Sequence, residues 1–202
     1  MRGLFVTGTD TGIGKTVLSA ALMLRYPEAS YWKPIQTGPD DDTSEVGRLS
    51  GGQVCAEGIR HPDPVSPHLS RTRIDLNALV GQVSETTVIV EGAGGVLVPV
   101  NESQTMVDLM VLLGLPVIVA TRTTLGTINH TLLTLEALRA RALRVAGVVM
   151  IGDVHLINSA DNRAAIERYG RIRVIAEMPR LDPLTPESLR RWAETLPQDL
   201  IR

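Results

Sequence analysis

Between Gly8 and Thr16 the chain reads Gly-Thr-Asp-Thr-Gly-Ile-Gly-Lys-Thr. Glycines let backbone N–H groups close round an anion, a lysine adds compact positive charge, and a hydroxyl beside it can ligate Mg²⁺. Set between a strand and a helix start, such a loop cradles phosphate. The common spacing puts the first glycine at position 9, where Thr9 stands; Gly8 falls one residue early, so this is a variant phosphate loop. A nucleoside triphosphate site also needs an acid on the metal side, at the end of a buried strand. Glu91 meets that need, closing the run Thr87-Val-Ile-Val90 ahead of Gly92-Ala93-Gly94-Gly95. The triplet Asp40-Asp41-Asp42 is a weaker source of a second carboxylate, because runs of acids more commonly form solvated loops.

Lysine usage sharpens the picture. Of 20 basic residues only Lys15 and Lys33 are lysine; all others are arginine. An ammonium and a guanidinium are not interchangeable, so both lysines are candidates for chemistry. Lys33 precedes Pro34, which holds the local backbone extended. It follows a short strand, at the edge where ligands bind in open α/β sheets. One lysine suffices to hold a triphosphate; a second at the same edge points to an acceptor that is itself anionic, in a reaction that builds negative charge.

The elements that position these residues alternate short β-branched runs with helical stretches, the pattern of a parallel α/β sheet. Strands are expected over 3–6, 30–32, 87–90, 116–120, 145–151 and 173–176, with helices over 16–25, 76–83, 106–113, 127–141, 161–169 and 186–196. Residues 33–73, rich in Pro, Gly and Asp, hold no confident core element, and so long a stretch in a compact domain is usually functional. With 202 residues, no repeat and no linker, residues 1–202 read as one domain.

Composition excludes several classes. A net charge of −2 gives no electrostatic footprint for nucleic acid or an anionic membrane. The single cysteine, Cys55, forms neither an internal disulfide nor a thiolate zinc cluster. The histidines, His61, His68, His130 and His155, lack paired metal-ligand spacing. No run of about 18 apolar residues and no signal peptide is read from the sequence, so a cytoplasmic protein is expected.

Taken together the motifs resemble those of the dethiobiotin synthetases of biotin biosynthesis. They are Val6-Thr-Gly-Thr-Asp-Thr11 with Gly14-Lys-Thr16, Trp32-Lys-Pro-Ile-Gln-Thr-Gly38, Ser66-Pro-His68, Val90-Glu-Gly-Ala-Gly-Gly95 and Leu125-Gly-Thr-Ile-Asn-His130. The resemblance is specific over residues 6–130 and loose over the last 50 residues. It implies a P-loop three-layer sandwich with a mostly parallel central sheet. It further implies a homodimeric, Mg²⁺- and ATP-dependent cyclo-ligase that joins 7,8-diaminononanoate and CO₂ into the ureido ring of dethiobiotin. The steps implied are a carbamate, a carbamic–phosphoric anhydride, and ring closure with release of ADP and phosphate.

Carried onto this chain, the resemblance makes Lys33, Lys15 and Thr11 catalytic, and Thr37, Gly94 and Asn129 substrate-binding. Thr16, Asp42 and Glu91 become the Mg²⁺ ligands. The nucleotide site comprises Gly12, Ile13, Gly14, Lys15, Thr16 and Val17, together with Asp42, Glu91, Gly92, Ala93 and Gly94. On the base side it adds Asp153, Pro179, Arg180 and Leu181. Asn129, at a helix start, is the implied anchor for a substrate carboxylate reached across the dimer interface. The chain departs from the family at Gly12, where an acid is common, and at Ile151-Gly152-Asp153, which replaces an Asn-Asp pair. A partitioning-type P-loop ATPase is the alternative; that class carries an extra lysine early in the loop, where this chain has Thr9-Asp10-Thr11.

Overall fold

The computed structural model describes residues 1–70, 73–83, 86–153 and 159–201; His155 lies outside them. The first part of the chain forms β1 (Arg2–Gly8), α1 (Lys15–Arg25), β2 (Ser30–Trp32), β3 (Ile35–Thr37), α2 (Asp42–Ser50) and β4 (Ile59–His61). The middle forms α3 (Leu76–Val80), β5 (Thr87–Gly95), α4 (Met106–Leu113), β6 (Val117–Arg122) and α5 (Thr127–Arg139). The chain ends through β7 (Val145–Ile151), α6 (Ser159–Gly170), β8 (Val174–Met178) and α7 (Pro186–Ala193).

Six strands make one parallel sheet in the order β2-β5-β1-β6-β7-β8, while β3 and β4 pair separately. Period-2 alternation explains why the central strands are apolar throughout. Leu4, Val6, Ile89, Ile118 and Ala120 point to the face covered by α1, α2 and α7. Phe5, Val88, Val90, Val117 and Val119 point to the opposite face, under α3, α4, α5 and α6. Strands buried on both sides must read as near-continuous hydrophobic runs. The result is the three-layer, mostly parallel P-loop arrangement expected.

Three differences from the sequence reading bear on the site. First, the stretch 33–73 does contain a core helix: α2, whose Val46 and Leu49 are fully buried. Its apolar signal is confined to those positions amid polar residues, too little for periodicity to register. The helix is defined by its ends instead, where Asp41 accepts the Ser44 N–H and Gly51 closes in the left-handed conformation. Second, β5 does not end at Val90 but continues through Glu91 to Gly95, so Glu91 sits inside a strand. Third, the sequence reading left strand order open, and the structure sets β5 between β1 and β2, with Val6 opposite Glu91 and Trp32 opposite Val90. Several helices are also shorter than periodicity suggested, α3 ending at Val80, α5 at Arg139 and α7 at Ala193.

Candidate active site

The turn after β1 enters α1 through Gly14, whose φ of 95° favours glycine. This places Lys15 and Thr16 on the first turn of α1, at the C-terminal edge of the sheet. Lys33 follows β2 on the same edge, and Glu91 lies on β5 between them. Asp42 arrives from the first turn of α2. The acidic triplet thus divides its labour: Asp41 caps the helix, Asp42 reaches the site, and Asp40 lines the cleft.

These side chains are wired together. Thr16 Oγ1 donates to Asp42 Oδ1 at 3.0 Å and approaches Glu91 Oε1 at 3.1 Å. Lys33 Nζ lies 2.5 Å from Asp42 Oδ2 and 2.8 Å from Glu91 Oε1. Tyr31 Oη donates to the remaining Glu91 oxygen, Oε2, at 2.9 Å. Glu91 is 1% exposed and Lys33 3%, so the centre of this cluster is buried, where opposite charges must face one another to offset desolvation. Burial works against the Lys33 ammonium, but Glu91 and Asp42 outweigh it and hold its pKa above the ordinary lysine value. Lys15 has the opposite balance. Burial dominates, nearby Lys33 adds to it, and its pKa falls from 10.5 to about 8. Its ammonium donates to the Asp10 carbonyl at 2.9 Å, folded back across its own loop.

The cleft these groups surround has a volume of about 230 Å³. Thr11, Gly12 and Gly14 wall it from the loop, Thr37 from β3, and Ala93 and Gly94 from the end of β5. Gly94 adopts a φ of 63°, and a Cβ there would come within 2.7 Å of Val98 Cγ2. A second cavity, about 530 Å³, opens on the other side of the loop between Gly12, Ile13, Arg122, Ile151, Asp153 and Arg180. A third, a largely apolar groove of about 430 Å³, runs from Thr11 past Leu97, Val98 and Pro99 to His130 and Leu133 on α5.

The remaining expected residues fall elsewhere. Val17 and Leu181 pack against the hydrophobic core. Gly92 is buried over the Phe5 ring, where a Cβ would meet Cε1 at 2.9 Å. Pro179 lines none of the three cavities, although its neighbour Arg180 lines the second. Asn129 is exposed on the first turn of α5, outside the cleft. Three residues that sequence reasoning passed over stand out. Tyr31 reads in sequence as an ordinary strand aromatic. Gln36 is buried in the cleft wall, its Nε2 donating to the Thr37 carbonyl and its Oε1 without a partner among the described residues. Arg122, at the end of β6, donates to Asp10 Oδ2 at 3.1 Å and the Thr11 carbonyl at 3.2 Å, strapping the phosphate loop.

A strand, glycine-lysine-threonine loop and helix at the edge of a parallel sheet define a P-loop nucleotide-binding α/β protein. Solved structures agree on the fold. A ParA family ATPase from Chlorobium tepidum TLS superposes with a TM-score of 0.61 at 11% identity, over 96% of this chain and 97% of that one. The MinC:MinD cell division complex of Aquifex aeolicus gives 0.59 at 12% identity, over 96% and 95%. The chain belongs to the dethiobiotin synthetase family of enzymes. It is 47% identical to the ATP-dependent dethiobiotin synthetase BioD of Paramagnetospirillum magneticum (strain ATCC 700264 / AMB-1), over 94% of this chain and 93% of that protein. It is 45% identical to BioD of Rhodopseudomonas palustris (strain BisB5), over 93% and 90%. The biotin biosynthesis bifunctional protein BioCD of Bordetella avium (strain 197N) matches at 45%, over 97% of this chain but 43% of its own length. A family model described as an AAA domain matches residues 2–188.

Proposed function

We propose that residues 1–202, as one domain, catalyse the ATP- and Mg²⁺-dependent closure of the dethiobiotin ureido ring from 7,8-diaminononanoate and CO₂. The observation that carries this reading is the buried Lys33, held between Asp42 and Glu91 across the cleft from Lys15. One substrate amine takes up CO₂ as a carbamate. A carbamate oxygen attacks the γ-phosphorus of ATP, the P–O bond to ADP breaks, and a carbamic–phosphoric anhydride forms. The second amine then attacks the carbonyl carbon and expels phosphate, closing the ring. Carbamate and γ-phosphate are both anions, so the protein's task is to align them and neutralise charge. Lys15 holds the phosphates; Lys33 holds the carbamate and the phosphoryl group in transit.

Thr11 and Thr37, on opposite walls, hydrogen-bond the carbamate and its amines. The orphan carbonyl of Gln36 suits an amine N–H. An amide accepts that hydrogen without the negative charge that would keep the amine protonated and unreactive. The two carboxylates already face a cation, the Lys33 ammonium, and the Thr16 hydroxyl bonds both of them, so three hard oxygen donors are gathered in one place. That donor set fits Mg²⁺, which takes one or two carboxylates and fills its shell with phosphate and water. Among the described residues no group of three or more His, Cys, Asp or Glu could close round a metal unaided. Mg²⁺, when bound, would neutralise phosphate charge. The second cavity is assigned to the nucleoside, with Ile13, Asp153 and Arg180 in its walls.

The apolar groove receives the alkyl chain of the diamine and leads it toward α5, where Asn129 and the helix N-terminus meet a carboxylate. A second copy of the chain completes this part. Leu133 on the groove wall is 56% exposed and Leu125, just before α5, is 97% exposed; both gain by being covered. No described helix is long and apolar enough to cross a membrane.

Phosphate release from Mg·ATP and bicarbonate, with and without 7,8-diaminononanoate, tests the reading. Diamine-dependent release with a ureido product by mass, lost in Lys33→Ala, is the expected result. Release that ignores the diamine and survives Lys33→Ala would instead indicate a nucleotide-switched ATPase of the kind sharing this fold.

A further inference from the structure

We propose that Tyr31 sets the metal preference of this site, selecting Mg²⁺ over Ca²⁺ by denying Glu91 a second ligand oxygen. The inference rests on the assignment of Thr16, Asp42 and Glu91 to a divalent cation. The two oxygens of Glu91 live in different surroundings. Oε1 faces Thr16 Oγ1 at 3.1 Å and Lys33 Nζ at 2.8 Å, on the side where the cleft lies. Oε2 is taken by Tyr31 Oη at 2.9 Å, in a fully buried contact.

The phenol cannot easily give way. Its ring is fully buried in the core between the sheet and α1, α2 and α7. Its strand is pinned on the side away from β5, the Tyr31 N–H donating to the Gln53 carbonyl and the Tyr31 carbonyl accepting from the Cys55 N–H. Its hydroxyl donates to Glu91 Oε2, an oxygen that can only accept, so the contact is matched in direction as well as distance. For Glu91 to present both oxygens to a cation, Oε2 must abandon this hydroxyl and leave a buried donor unpaired.

That constraint discriminates between ions. Mg²⁺ is small, demands octahedral geometry and is satisfied by single carboxylate oxygens plus water and phosphate; Ca²⁺ takes more oxygens and readily uses bidentate carboxylates. A Glu91 held to one oxygen therefore suits the first and penalises the second. Tyr31 touches neither substrate nor cation; it is a positioning residue, and its effect falls on ion preference.

Calorimetric titration of ADP into wild type and Tyr31→Phe, with saturating Mg²⁺, saturating Ca²⁺ or EDTA, tests this without turnover. In wild type, Mg²⁺ should tighten ADP binding clearly more than Ca²⁺ does. In Tyr31→Phe the ratio of the Mg²⁺ and Ca²⁺ affinities should fall about tenfold, as expected for loss of one hydrogen bond to a charged group. The affinity in EDTA should not move, which separates this effect from a folding defect. An unchanged ratio overturns the proposal alone. A wild type whose ADP affinity ignores both ions overturns the assignment of the cation site as well. Should Tyr31→Phe lose ADP binding in EDTA, a crystal structure of wild type with Mg·ADP decides. One Glu91 oxygen on the ion and the other on Tyr31 supports the proposal, and both oxygens on the ion overturn it.

Discussion

The cleft at the ends of β1, β2 and β5 and the groove along α5 lie on either side of Thr11, yet they are finished in different ways. At the centre of the cleft Glu91 and Lys33 are buried, and they are paired with each other and with Asp42, Thr16 and Tyr31. The groove is open and apolar, lined by Leu97 and Leu133, both largely exposed. Charges that must be held within tenths of an ångström need a rigid, desolvated frame, and burial supplies it only if every charge has a partner. An alkyl chain needs only a water-poor surface, which two loosely matched apolar faces supply when they meet. On the function proposed above, the comparison teaches that one half of this site is preorganised by folding, while the other is assigned to a surface that a second copy would complete.

Removing the cation at the centre of the cleft should break the comparison most severely. Lys33→Met is expected to lower diamine-dependent turnover by about a thousandfold, since the group proposed to neutralise the transferring phosphoryl is lost. The same variant leaves Glu91 facing Asp42 without a counter-ion. Unfolding in denaturant without Mg²⁺ should show a loss of about 3 kcal/mol, the order expected for breaking a buried ion pair from one side. Added Mg²⁺ should recover more of that stability in Lys33→Met than it adds to wild type, because an ion then takes the place of the ammonium.

On the groove side, Leu133→Glu places a charge on the face assigned to a second copy. Sedimentation should show the monomer, and KM for the diamine should rise about thirtyfold while ADP affinity in EDTA stays constant, a charge in an apolar contact costing about 2 kcal/mol. If turnover fell with no change in mass, the groove would be finished by the chain itself.

The smallest expected effect, about tenfold at pH 9, one unit above the midpoint, concerns Lys15. Its pKa in the free protein is about 8 because burial disfavours the charge. Triphosphate favours the charged form, so binding above that pH requires uptake of a proton. Nucleotide affinity should be flat below pH 8 and weaken by about tenfold per unit above it, as linkage requires. Lys33, whose pKa is held up by its carboxylates, should add no step in that range. A profile that stayed flat to pH 10 would show that the loop lysine is not buried in solution as it is here.

Much of this was legible in the chain before its fold was known. Glycine spacing, Lys15 and Thr16 declare a phosphate loop because the turn and the helix start that present them are local. The contrast of two lysines against a background of arginine singled out Lys33 from composition and position. Glu91 was readable as an acid on a buried strand. Helix α2 was not, because its core contribution is confined to a few positions and its definition lies in its caps.

What no local pattern states is strand order. The insertion of β5 between β1 and β2 brings Glu91 between Lys15 and Lys33, and it turns a strand aromatic, Tyr31, into the partner of the second Glu91 oxygen. Side-chain type and spacing along a chain set which groups are available and how each element forms. Which of them meet is decided by the packing of whole strands, where the energy lies in long-range burial that no short segment carries alone.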